Sequence, residues 1–175
     1  MSEPRPTAFE RAALIGSYAL EFAVCGFVGW LYEVTVMYVM YHQYEQRGYL
    51  HLPVLPIYGF FGLVLLLIFR KHNNIFLVFF VSMAITTAGE LIASYVIEAV
   101  LHEQLWSYHM WRFNFQGRIA LYSSLMFGGL SVLLVKAVHP VIRLIHKYQP
   151  EAVSLGVGIA CLFMIGGDFL TTWKG

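Results

Sequence analysis

The chain has 175 residues, 59% of them hydrophobic and only 12% charged, with a formal net charge of +1. That balance excludes an ordinary soluble domain and points to one membrane-embedded helical unit. A near-neutral chain with no block of Lys and Arg interleaved with aromatics also excludes nucleic acid as a partner.

Residues 1–11 read as a short cytoplasmic lead-in, with prolines and two acidic residues and no small-x-small cleavage site. Residues 12–171 are expected to form a single transmembrane helical domain, an all-α bundle of about five helices. The first helix is expected over Ala12–Tyr41 and retained. On it Gly26, Gly29, Trp30 and Glu33 share one face, so two glycines admit a close neighbour beside a carboxylate. Glu21 lies about three turns earlier and reads as structural. The second segment, about Val54 to Phe69, is short for a crossing and has a broken start around Pro53, Pro56 and Gly59. A polar turn, Arg70 to Asn74, leads into the third segment.

That segment, Ile75–Leu101, carries Ser82, Thr86, Glu90, Ser94 and Glu98, each four residues after the last. On a helix they form one stripe. A charge in hydrocarbon costs about 2.5–3.5 kcal/mol even on insertion scales, so the stripe must face protein, water or a ligand. The aromatic stretch between Leu101 and Gly117 suits the headgroup zone as an interfacial loop. A fourth segment, Gly117–Val138, follows with a face of Gly and Ser. His139–Pro150 is expected as a short surface-lying helix. Glu151–Leu170 is the fifth crossing, rich in glycine and holding a deep Asp168.

Lys and Arg in the connections number seven on the side of the N-terminus and four on the other, which places the N-terminus inside. The loops around Arg47–Gly59 and Leu105–Arg118 then lie outside, with Glu33 and Glu98 near the outer helix ends and Glu90 deeper.

Cys25 and Cys161 lie inside apolar segments and make no metal or redox spacing. Glu98 and His102 are four apart, but no second such pair accompanies them, so neither a metal nor a cofactor is expected. No histidine lies in the middle of a segment to serve as haem ligand or catalytic base. No P-loop motif occurs, so the chain does not itself hydrolyse ATP by that route.

The run GFVGWLYE, then QRGYLHLPVLPIYGFFG, AGELIASYVIE and LWSYHMWRFNFQGRIALYSSLMFG resembles the type IV ABC-transporter, or CmpB-like, membrane family. The resemblance rests on Gly29, Trp30 and Glu33; on Arg47, Gly48 and Leu50; on Pro56, Tyr58 and Gly59; and on Glu90. It continues through Trp106 and Tyr108, then Asn114, Gly117, Arg118 and Ile119, and closes on Asp168 and Phe169. One departure is His109, beside Ser107 and Tyr108, where the family more often reads W-D-Y-S, so that Ser107 stands in place of the Asp.

The resemblance implies an ABC-type permease component of the plasma (inner) membrane. Its partners would be membrane lipid, a separate ATPase subunit and a second copy of itself. Glu33, Glu90 and Arg118 are the expected core of an outward-facing acidic site for a small polar or amphipathic ligand. Tyr58, Asn114, Arg47, Trp106, Tyr108 and Glu98 are expected around it. Two other readings stay open: a membrane enzyme acting on lipid or lipid-linked substrates at the outer leaflet, and an assembly or interaction protein.

Overall fold

The computed structural model describes residues 7–42, 44, 46–69 and 74–173. The expected polar turn at Arg70–Asn74 therefore falls, apart from Asn74, outside the described residues, as do Arg5 and Lys174.

Helix α1 spans Ala8–Tyr41, four residues earlier than the apolar pattern suggests. The reason is local. Thr7 and Glu10 form a capping box, the Thr7 hydroxyl accepting from the Glu10 N–H at 3.2 Å and the Glu10 carboxylate from the Thr7 N–H at 2.6 Å. Helix α2 runs from Pro56 to Phe69, with proline at its first position, where no helical N–H is missed. Helix α3 covers Ile75–Leu101, bounded by Asn74, whose side chain accepts from the N–H groups of Phe76 and Leu77, and by His102 at φ 57°.

The aromatic loop contains an element that composition conceals. Strands β1, Asn114–Phe115, and β2, Ile119–Ala120, pair antiparallel, so α4 begins at Leu121 rather than Gly117. Helix α4 ends at Leu133, and a π-helical turn, Leu134–Val138, leads without a break into α5, His139–Tyr148. Pro140 accounts for the widened turn: it offers no N–H, and its ring crowds the carbonyl four residues back. The stretch expected as a separate surface helix thus continues the preceding one. Helix α6 spans Glu151–Trp173.

Four stretches are long and apolar enough to cross a membrane: Ala8–Val39, Ile75–Leu101, Leu121–Tyr148 and Glu151–Thr172. The 14 residues of α2 reach only about 21 Å, against a hydrocarbon core of about 30 Å. The chain is an all-α, multi-pass membrane bundle.

Two compact units are present, residues 1–64 with 139–175, and residues 65–138. In the first, α1 packs on α6 and α5. Gly16 of α1 meets the backbone of Ser154 and Leu155, and Gly158 of α6 meets the backbone of Gly16. Further along α1, the Gly26 carbonyl accepts from the Leu55 N–H at 3.0 Å, and Gly29 lies flat against the Tyr58 ring. Those two contacts bring the start of α2 onto the face where Glu33 sits.

The second unit is built on α3 against α4. Leu65, Phe69 and Val78 form its apolar core, with Ile85, Val132 and Val135 packed around them. The buried positions of α3 are Val78, Ser82, Thr86, Glu90 and Ser94, while Phe76, Phe80, Ile92 and Val96 are exposed. This is the inverse of a soluble amphipathic helix. The polar stripe faces protein and the hydrocarbon face is left for lipid. The Thr87 hydroxyl donates to Ser124 at 2.8 Å, and Gly128 admits the Phe79 ring, so the helix pair is joined by small and weakly polar residues.

Candidate functional site

Glu90 is 6% exposed and sits midway along the buried stripe of α3. The Tyr108 hydroxyl, from the loop before the hairpin, donates to Glu90 Oε1 at 2.7 Å. From α4, the Ser123 hydroxyl lies 3.4 Å from Oε2, while it donates to the Ala120 carbonyl at 3.0 Å. Two separate elements thus deliver polar groups to one intramembrane carboxylate.

The loop holds Tyr108 by design of its backbone. Gln116 and Gly117 both have positive φ, 53° and 67°, and the turn closes with the Arg118 N–H on the Phe115 carbonyl at 3.0 Å. Glycine is required at 117, because that conformation disfavours a Cβ and the His109 ring packs where one would project. Asn114 works inside this turn: its carbonyl oxygen accepts from the Gly117 N–H at 2.9 Å and its amide donates to the Trp111 carbonyl at 2.6 Å. The Tyr108 N–H then donates to the Gly117 carbonyl at 2.7 Å.

Arg118 occupies the end of the same stripe. It pairs with Glu98, donates to Ser94 Oγ at 3.3 Å, and stands over the Tyr95 ring at 4.0 Å from its centroid. Its carbonyl accepts from the Trp106 indole at 3.0 Å. Glu98 is 44% exposed at the side chain and Arg118 only 15%, so the carboxylate marks the rim and the guanidinium is tucked beneath it. Along α3, eight residues separate Glu90 from Glu98, about 12 Å.

Glu33 belongs to the first unit. It accepts from the Tyr58 hydroxyl at 3.0 Å and pairs with Arg47 at 3.3 Å. The sequence-derived residues therefore fall into two constellations: Glu33, Arg47 and Tyr58 in one unit, and Glu90, Tyr108, Arg118, Glu98 and Trp106 in the other. The ion-pair partner of Arg118 is Glu98. Asn114 braces the hairpin rather than lining a carboxylate.

Asp168, expected deep in the last helix, lies near the end of α6 and ties down the segment before α2. Its carboxylate accepts from the Leu52 N–H at 2.9 Å and meets His51 Nδ1 at 3.0 Å. Sequence reasoning did not single out His51, Tyr95 or Gln116. The Gln-Gly pair between aromatic and aliphatic runs was the available sign of a hairpin; that Gln116 accepts from the Tyr95 hydroxyl of α3 had no local signal.

Two outcomes follow from these contacts. Tyr108→Phe removes the donor from a buried carboxylate and should cost about 1–3 kcal/mol, read as lower thermal stability in detergent. Asp168→Asn should release the 47–53 segment, with several-fold faster proteolysis or thiol labelling of single-cysteine probes there and little change elsewhere.

The profile of the family described as Putative ABC-transporter type IV matches residues 20–173. The chain belongs to that family. The match takes in α1 from its fourth turn onward, both constellations and all of α6, so every residue discussed above from Glu21 to Asp168 lies within the family region. No curated protein and no solved structure matches the chain.

Proposed function

We propose that this protein is the membrane component of an ABC-type transport system that binds a small polar or amphipathic ligand on the buried face of α3. Glu90 is the anchoring contact, with Tyr108 and Ser123 orienting the ligand and the Arg118–Glu98 pair at the rim. The observation that carries this reading is the inverted helix. A carboxylate 6% exposed is held on a membrane helix by groups from a loop and from a second helix. Such groups are costly in hydrocarbon, and interior ionisable residues mark substrate and ion pathways by default. Glu33, with Arg47 and Tyr58, is a separate acidic constellation of the same character within the first unit.

The N-terminus lies on the cytoplasmic side of the plasma membrane, and a separate ATPase docks on the basic inner face around Arg143 and Lys147. The test is mild solubilisation of the tagged full chain from its native membrane, followed by mass spectrometry of the proteins and small molecules that copurify. A P-loop ATPase and a discrete polar or amphipathic molecule are the expected finds. Turnover of labelled phospholipid by the purified chain alone would instead establish a lipid enzyme.

A further inference from the structure

Glu21 is the most deeply buried ionisable side chain among the described residues, at 1% exposure against 6% for Glu90. Its Oε1 is 2.7 Å from His139 Nδ1. Its Oε2 is buried with no hydrogen-bond partner among the described residues. A carboxylate retained only to glue two helices would be expected to have both oxygens satisfied, because an unmade hydrogen bond in a dry interior is expensive.

His139 follows directly on the π turn, which re-aims the residues after it. On α5, His139, Ile142 and His146 are spaced three and four apart and share the inward face, with Ile142 6% exposed. The groups acting on Glu21 come from every neighbouring helix. From α5, His139, Arg143 and His146 bear on its charge, and on α1 the Cys25 thiol lies one turn away. From α6, Ser154 meets His146 Nδ1 at 2.8 Å, while Glu151 is exposed.

We propose that Glu21 and His139 form a proton-binding site, distinct from the Glu33 and Glu90 constellations. The pair shares one proton in either of two arrangements, carboxylate with imidazolium or carboxylic acid with neutral imidazole. Both leave no net charge in the core. Uptake begins from carboxylate and neutral imidazole with its proton on Nδ1. A proton adds to Nε2 of His139, the Nδ1–H bond breaks, and an O–H bond forms at Glu21. Release reverses each step, and no other bond changes. The bare Oε2 fits the acid form, since a neutral carbonyl oxygen tolerates isolation better than a carboxylate oxygen does. The site stands whether or not Glu90 binds a ligand.

Dicyclohexylcarbodiimide, an apolar reagent for protonated buried carboxyls, probes the site in the full chain in detergent. Peptide mass spectrometry reads modification of Glu21 against pH, with Glu21→Gln as background. We expect Glu21 labelling to fall as pH rises, with the ¹⁵N ring resonances of His139 moving over the same pH change. His139→Gln should change the labelling at fixed pH at least tenfold. Should that variant fail to fold, the two wild-type titrations decide alone: coincidence supports the site and divergence overturns it. No labelling of Glu21 at any pH at which the protein stays folded, or labelling indifferent to pH, also overturns it.

Discussion

Gly158→Ala should lower the apparent melting temperature of the detergent-solubilised protein sharply, whereas Gly156→Ala, two residues away, should leave it nearly unchanged. A methyl group at 158 would land on the backbone of Gly16, and one at 16 on the backbone of Ser154. No side chain can swing aside, so α1 and α6 must separate. Overpacking of this kind costs typically about 1–3 kcal/mol, and immovable backbone puts these two positions at the upper end. Gly156, Gly166 and Gly167 face open space, and surface changes of that sort usually stay within about 0.5 kcal/mol. Equal losses at 156 and 158 would contradict the close α1–α6 approach.

Glu90→Gln should abolish ligand binding and transport while leaving membrane insertion and helix content intact. The substitution keeps shape and can still accept from Tyr108, so the local fold loses little. What it removes is the ionisable oxygen, and with it the contact for a cationic or strongly donating ligand group. Truncating one partner of a buried charged contact typically costs about 2–5 kcal/mol, or roughly 30- to 4,000-fold in affinity at about 1.4 kcal/mol per tenfold. Glu98→Gln should weaken binding far less, because Glu98 sits at the rim, where water screens it.

How far the sequence leads varies with the physics of each element. Helix α3 was legible to the residue, because a 27-residue apolar run with a period-four polar stripe has few alternatives. That Ser82, Thr86, Glu90 and Ser94 turn away from lipid followed from the cost of polar and charged groups in hydrocarbon, while Glu98, on the same stripe, stays half-exposed. The start of α1 was missed because a capping box is hydrogen bonding, which hydropathy does not register. The hairpin at Asn114–Ala120 was hidden by aromatic composition, although its Gln-Gly turn was in view.

Tertiary pairing was harder to read. Gly26 and Gly29 were expected to admit a neighbour, and they do, but nothing in their spacing identifies Tyr58 as that neighbour. Of the glycines noted on α6, only Gly158 meets another helix closely, and its counterpart Gly16 had no local signature. The Arg118–Glu98 and Glu33–Arg47 pairs were unreadable for the same reason. Charges find partners through the fold, and spacing along the chain fixes only which face each one occupies.

The central claim is that Glu90, on the buried face of α3, holds the ligand. Its most direct test is parallel purification of wild type and Glu90→Gln from the same membranes, with quantitative mass spectrometry of the small molecules extracted from each. A polar or amphipathic molecule present in stoichiometric amount with wild type and lost from the equally well folded variant is the predicted result. The same molecule retained in equal amount by Glu90→Gln would contradict the account.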